Sequence, residues 1–329
     1  MSHAARVATV SLNPAIDQTA RVPNFAAGAV NRVEWEQSDA GGKGVNVASF
    51  LADAGVPVVV TGLLGAGNDE AFRRLFAAKG IEDQFVRVPG HTRVNVKIVD
   101  TVQDRVTDIN FPGLQISDED LRRLFGAIER LSADCGWFVL SGSVPAGLPS
   151  DVYTQLVSRL KGLGKTVVLD ASGPPFAEAV PAAPDVIKPN IDELEELIGG
   201  RLETEAAIVG AARRLVAGGD GDGASRGGGI ALVAVSMGPR GALFVTRDEV
   251  VHAQPPAASV KSTVGAGDAM VAGIVAGALR GLNLAERARL ATAFSLGALS
   301  EIGPRLPSPA TIDAFAAQVR LKRIAAQES

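Results

Sequence analysis

At 329 residues the chain is too long for one small module and about the right size for a large α/β domain or a core carrying a lid. Hydrophobic residues make up 47% and charged residues 21%, enough aliphatic content for a core, which excludes a disordered chain. Lysine and arginine total 32 against 36 acidic residues, and the net charge of −4 gives no reason to expect nucleic acid as a partner.

In chain order, short aliphatic runs at 7–10, 56–64, 137–140, 166–169, 185–187 and 230–235 read as strands, and 118–131, 151–160, 191–198 and 204–217 repeat apolar residues at helical spacing. The alternation predicts βα units. Strands without a polar face predict an α/β fold with a central, mainly parallel sheet between helices and ligands at the strands' carboxyl ends. Two stretches break the rhythm, about 15–35 and 92–111, where apolar Val94, Val96 and Ile98 alternate with Asn95 and Lys97. They predict antiparallel strands of a small β-sheet lid within a single domain over 1–329. A small sheet with one apolar face wants a partner, so a homodimer through the lid is expected. The glycine-rich run 218–229 reads as a flexible helix-to-strand linker; Asp220 and Asp222 open like a calcium loop, but its later ligand positions are missing.

The single cysteine, Cys135, allows no intramolecular disulfide and no thiolate metal cluster, and it fits a reducing cytoplasm. The first twelve residues hold too short an apolar run for a secretory signal, and the apolar stretch 270–279 is about half the ~20 residues needed to span a bilayer, so no membrane partner is expected. His3, His91 and His252 are scattered singly, read as surface or loop residues, and argue against a histidine-based triad.

Two loops carry chemistry. Ser262-Thr263-Val264-Gly265-Ala266-Gly267-Asp268 runs into a helix of small residues over 269–279. Its glycines leave room for a phosphate, and the helix N-terminus offers unpaired N–H groups and the positive end of the dipole. A carboxylate at that lip would repel a resting phosphate. Asp268 therefore either accepts a proton from an attacking hydroxyl while the amides stabilise the phosphoryl group, or merely caps the helix; spacing alone leaves both open. The second loop, Ala40-Gly41-Gly42-Lys43-Gly44-Val45-Asn46, also enters a helix and adds the point charge of Lys43, as a second phosphate would require. Taken alone it is equally a tight turn with a surface lysine. Its spacing is not that of a Walker A loop, and neither loop has the third glycine and downstream acid of a dinucleotide fingerprint, which counts against a nicotinamide-dependent oxidoreductase.

Together and in this order, the two loops resemble the signature motifs of the PfkB carbohydrate-kinase family, and the resemblance extends over nearly the whole chain. Further matching segments are Ser11-Leu12-Asn13-Pro14-Ala15-Ile16-Asp17, Gly90-His91-Thr92-Arg93-Val94-Asn95-Val96-Lys97, Ser141-Gly142-Ser143-Val144-Pro145, Lys188-Pro189-Asn190-Ile191-Asp192-Glu193 and Val235-Ser236-Met237-Gly238-Pro239-Arg240-Gly241. The family implies a three-layer ribokinase-like fold. The Asn-Pro-Ala-Ile-Asp opening, Lys43 and Arg93 are most similar to members acting on sugars that already carry a phosphate. The resemblance thus implies ATP-dependent phosphorylation of fructose 1-phosphate to fructose 1,6-bisphosphate, with tagatose 6-phosphate or fructose 6-phosphate as alternative substrates. A catalytically silent sensor of phosphosugar or nucleotide is the reading from another class, disfavoured by the intact Asp268, anion hole and Asp17.

Carried over residue by residue, the resemblance makes Asp268 the catalytic base and Gly265, Ala266 and Gly267 the anion hole. Asp17 would accept hydrogen bonds from sugar hydroxyls. Gly41, Gly42 and Asn46 would line the sugar, while Lys43, Arg93 and Ser143 would hold its phosphate; Arg105 on the next lid strand is equally a solvated residue. Lys188, Asn190, Ser236, Gly238 and Gly241 match the nucleotide side. Asn190 and Glu193 match a motif tied to magnesium and phosphate through ordered water, and they also read as a helix cap with its capping-box partner. The implied cofactors are Mg2+, ATP as phosphoryl donor, and a monovalent cation. The 218–229 run is longer and richer in glycine than family members usually carry there.

Overall fold

The computed structural model describes residues 6–218, 229–256, 265–301 and 303–324. Strand β1 (Arg6–Ser11) leads into a two-strand excursion, β2 (Ala15–Arg21) and β3 (Trp35–Gly41), then α1 (Lys43–Asp53), β4 (Val58–Gly65) and α2 (Glu70–Lys79). The short strands β5 (Glu82–Asp83) and β6 (Val86–Val88) precede a second excursion, β7 (Arg93–Asp100) and β8 (Arg105–Ile109). The βα rhythm resumes with α3 (Asp118–Leu131), β9 (Cys135–Ser141), α4 (Val152–Gly162), β10 (Thr166–Asp170), α5 (Gly173–Ala179), β11 (Val186–Ile187), α6 (Ile191–Ile198), α7 (Glu205–Ala217) and β12 (Leu232–Ser236). β13 (Ala242–Val245), β14 (Val250–Gln254), α8 (Ala266–Leu279), α9 (Leu284–Leu299), α10 (Pro309–Gln318) and β15 (Arg320–Ile324) complete the order.

β1 pairs in parallel with both β4 and β9, and the parallel ladder continues through β10 and β11 to β12. β4 is buried along its whole length, as a strand covered by helices on both faces must be. One apolar layer packs α1, α2, α8, α9 and α10 against the sheet, and the other packs α3 to α7 against the opposite face, giving three layers. β13, β14 and β15 extend one end in antiparallel fashion. These strands were not expected from the sequence, because they are antiparallel additions outside the βα alternation and β15 returns from a distant part of the chain.

Several boundaries follow from local chemistry. The side chain of Ser117 caps α3 in a box with Asp120, and Asn190 caps α6 in a box with Glu193, so both helices start where the apolar periodicity begins. Small residues in α8 let it lie against α9: a Cβ on Gly273 would stand 2.6 Å from Cα of Ala291. Gly218 ends α7 in the left-handed conformation (φ 92°). Most of the expected linker, 219–228, including Asp220 and Asp222, lies outside the described residues, as do His3 and 262–264 of the 262–268 loop.

The second sheet has the order β3-β2-β7-β8. Its outer pairs are antiparallel, but the central pair β2–β7 is parallel, correcting the all-antiparallel expectation. The reason is topological. β2 follows β1 and β7 follows β6, and β1 and β6 both run parallel to β4, so the two segments leave the main sheet in one direction. The first excursion also reaches further than 15–35, since β3 begins at Trp35 and ends at Gly41. His252, expected at the surface or in a loop, is instead buried in β14, where Glu205 and the Arg240 carbonyl meet its two ring nitrogens; His91 is exposed in a loop. No helix among the described residues is long and apolar enough to cross a membrane.

Candidate active site

The carboxyl ends of β1, β9 and β10 face the first turns of α1 and α8, and the two motif loops come together there. Gly265 precedes α8 in the left-handed conformation (φ 80°) and has no side chain with which to cap it. Asp268, third in the helix, is 5% exposed and does not turn back to cap either: among the described residues its partner is Asn46, whose Nδ2 donates to Oδ2 over 2.8 Å. Burial, reinforced by the charge of Asp170, pushes the Asp268 carboxyl up to about 6 against the opposing pull of Lys43, Asn46 and Lys188.

Asp170 ends β10 without solvent exposure. Lys43 and Lys188 both reach its Oδ1, at 3.1 and 3.2 Å. Burial alone would raise this carboxyl, but Lys188 and Lys43 outweigh it and hold it below the usual range. Lys43 pays the opposite way: burial disfavours its charge, and Asp170, Asp268 and Glu193 more than restore it. The Nζ of Lys188 lies 3.4 Å from where a Cβ on Gly267 would stand, so a cation sits beside the first turn of α8. Among the described residues, the buried Asp170 Oδ2 has no hydrogen-bond partner.

On one side of the α8 N-terminus a cavity of about 520 Å³ is lined by Asp17, Asp39, Asn46, Asn95, Lys97 and Gly265, among others. Oδ1 of Asp17 accepts from Nδ2 of Asn95 at 3.1 Å, and burial raises the Asp17 carboxyl despite Asn95, Arg93 and Lys97. Gly41 is required here, since a Cβ would fall 2.2 Å from Oδ2 of Asp17. Gly42 needs its own lack of a side chain: its φ is 102°, and a Cβ would meet Cα of Pro14 at 2.8 Å.

Arg93 and Ser143 converge on Asn13 instead of lining that cavity. The Arg93 guanidinium donates to the carbonyls of Asn13 (2.9 Å), Pro14 (3.4 Å) and Phe111 (3.4 Å), and Nδ2 of Asn13 donates to Oγ of Ser143 at 3.1 Å. Arg105 is exposed at the start of β8.

On the other side, a cavity of about 660 Å³ is lined by Ser236, Gly238, Gly241, Ala266, Gly267 and Met270 with other mostly apolar residues, as a flat heterocycle would need. Asn190 bridges to Ser236, and in the capping box its N–H donates to Oε2 of Glu193 at 2.8 Å. The two cavities meet at the α8 N-terminus, with Gly265 in one and Ala266 in the other.

Residues 5–311 match the pfkB family of carbohydrate kinases. The chain belongs to the PfkB family. It is 52% identical to the 1-phosphofructokinase of Rhodobacter capsulatus, over 97% of this chain and 98% of the relative, and 45% identical to that of Xanthomonas campestris pv. campestris, over 94% and 96%. A solved structure of phosphofructokinase-2 from Escherichia coli in complex with substrates and products matches with a TM-score of 0.87 at 26% identity, covering 95% of this chain and 98% of that one.

This PfkB kinase therefore has a ribokinase-like fold, takes ATP as its phosphoryl donor and acts on small molecules. Two polar residues of the site were missed in the sequence reading. Asp170 carried a usable signal, an acidic residue closing an aliphatic strand at the end where ligands gather. Asn95 carried another: it lies in the lid segment matched for Arg93 and shares the strand face two residues on.

Proposed function

We propose that this kinase transfers the γ-phosphoryl group of ATP to the free C6 hydroxyl of fructose 1-phosphate, giving fructose 1,6-bisphosphate and ADP. The observation that carries this reading is the position of Asp268 at the boundary between a polar cavity and a largely apolar one. The choice of sugar is supported by the 1-phosphofructokinase relatives.

In this reading Asp268 takes the hydroxyl proton as the new O–P bond forms and the bond to the bridging oxygen of ADP breaks. The amides of Gly265, Ala266 and Gly267 donate to the phosphoryl oxygens, and Lys188 adds positive charge beside them. Asp17 accepts from sugar hydroxyls, with Gly41, Gly42 and Asn46 around the sugar. Lys43, Arg93 and Ser143 hold the 1-phosphate. Arg93 has five N–H donors and spends three on carbonyls, leaving two for a phosphate. Ser236, Gly238, Gly241 and Asn190 serve the nucleotide.

Among the described residues no three acidic, histidine or cysteine side chains gather around a metal position. That suits Mg2+, which keeps waters and binds through one or two carboxylates plus substrate phosphates. Glu193 would hold it through water, since its Oε2 is taken by the Asn190 amide and its other oxygen is left for a water. Bound there, the ion would neutralise charge developing on the phosphates. Activation by a monovalent cation belongs to the same reading and is checked by comparing turnover in potassium and in tetramethylammonium salts.

The reading also takes the chain as one kinase domain whose second sheet is a lid, dimerising lid to lid. Exposed Val33, Trp35, Val106, Ile109 and Phe111 support the pairing. A cytoplasmic enzyme is supported by the single, buried thiol of Cys135. ADP release measured across fructose 1-phosphate, fructose 6-phosphate, tagatose 6-phosphate and free fructose tests the substrate: fructose 1-phosphate should have the highest kcat/KM, and a preference for free fructose would sink the reading.

A further inference from the structure

The turn that bears Gly238 and Gly241 is fixed from behind by a side chain that the proposed reaction does not use. His252, midway along β14, is 5% exposed. Its Nδ1 lies 2.6 Å from Oε2 of Glu205, the first residue of α7, and its Nε2 lies 2.8 Å from the main-chain carbonyl of Arg240 within the turn. Both partners are acceptors. A carbonyl has no proton to give, and Glu205 is held as a carboxylate, its pKa lowered by the hydrogen bond from Lys322 (Nζ to Oε1, 2.8 Å) and, against the effect of burial, by His252. A neutral imidazole has one N–H and one lone pair, so it satisfies one of these contacts and turns a lone pair on the other oxygen. Making both contacts requires a proton on each ring nitrogen.

We infer that His252 is a positioning residue for the nucleotide, holding the 237–241 turn through a doubly protonated ring, and that the turn loosens when the ring loses its second proton. The inference rests on the assignment of this turn to ATP. The turn has little other freedom where it meets β14: a Cβ on Gly241 would stand 2.0 Å from the carbonyl oxygen of Ala253, and the N–H of Met237 donates to the Gly241 carbonyl at 2.8 Å. The charged groups facing the ring are Glu205 from α7, Lys322 and, two residues away on the same strand face, Arg320 from β15, and Arg240 from the turn; β13 carries none. Glu205 and Lys322 pair with each other, which leaves the ring proton to answer the Arg240 carbonyl.

The sign is fixed by the chemistry: the tie is complete when the ring is charged and weakens as pH rises. Followed against the protonation of the ring, KM for ATP should rise by about three- to tenfold as the second proton leaves, part of the worth of a hydrogen bond to a charged group, while KM for the sugar phosphate stays level. Glu205→Gln is the decisive variant. Its amide can donate to Nδ1 while its carbonyl still accepts from Lys322, so a neutral ring with its proton on Nε2 suffices and the rise in KM for ATP should vanish. Nitrogen-15 NMR of the ring in the wild-type protein should show both nitrogens protonated at about pH 7. A singly protonated ring there overturns the inference, and so does a Glu205→Gln variant that keeps the wild-type rise. If ATP leaves the Gly238 and Gly241 amide resonances unmoved, the assignment of the turn to nucleotide fails and the inference falls with it; shifted amides with an unchanged Glu205→Gln profile overturn the inference alone.

Discussion

Asn46 and Asp268 come from the first turns of different helices and meet inside the protein, Nδ2 of one donating to Oδ2 of the other over 2.8 Å. The amide orients the carboxylate without adding charge. A lysine or arginine at that position would pull the carboxyl down and weaken it as a base, whereas burial beside Asn46 leaves it at about 6, near the range in which a base works at neutral pH.

The pH profile should carry this signature. Because the folded value lies above the usual one, the competent carboxylate fills only above about 6, so kcat/KM should fall as pH drops through that value. Asn46→Ala removes a contact that favours the charged form and should move the acidic limb up by about one to two pH units. An unmoved limb in a folded variant would detach Asn46 from the titration.

Gly41→Ala probes the sugar side. The added Cβ would fall 2.2 Å from Oδ2 of Asp17, and that carboxylate must shift. KM for fructose 1-phosphate should rise at least about tenfold, the order of one charge-assisted hydrogen bond, with KM for ATP nearly unchanged. Steady-state kinetics with each substrate varied in turn would show it, and equal rises in both constants would argue against a local effect on Asp17.

Asp170→Asn addresses the buried charges. The substitution strips two lysines of their shared carboxylate, and breaking a buried pair from one side destabilises by about 3–5 kcal/mol. Since the folded pKa of Asp170 is depressed, its stabilising contribution is present at neutral pH and is lost as pH falls through the folded value, below 3.8. Denaturant unfolding at neutral pH should show the loss, and a variant as stable as the wild type would contradict it.

How far the sequence reading reached depended on where the information lay. Residues 118–131 and 191–198 form the expected helices because cap, capping-box partner and apolar period all lie within one short segment. Asp268 and Gly265 were equally visible, since a glycine loop entering a helix is local. The Lys43–Asp170–Lys188 cluster was not: its members lie on separate elements, and only the order of the parallel sheet brings them together. The parallel β2–β7 pair and the burial of His252 are likewise products of topology, invisible to alternation along one strand.

The proposed pairing of the second sheet across a dimer has its own test. Val106 and Ile109 are exposed on β8, an edge strand exposed along its whole length, and should be covered in a dimer. Val106→Lys combined with Ile109→Lys should shift sedimentation from dimer to monomer at micromolar concentration. A wild-type protein that sediments as a fully active monomer would remove lid pairing.

The base is tested most directly by single-turnover phosphorylation of fructose 1-phosphate by wild-type protein and by Asp268→Asn. The amide keeps the shape and can still meet Asn46, but it cannot take the proton, so the rate should fall by about 10²–10⁴-fold while sugar and ATP binding persist. Because the native carboxyl is raised above its unfolded value, ionising it at neutral pH costs stability, and the variant should also melt at a higher temperature, which shows that it is folded. A folded Asp268→Asn protein that phosphorylates fructose 1-phosphate at the wild-type rate would contradict the account.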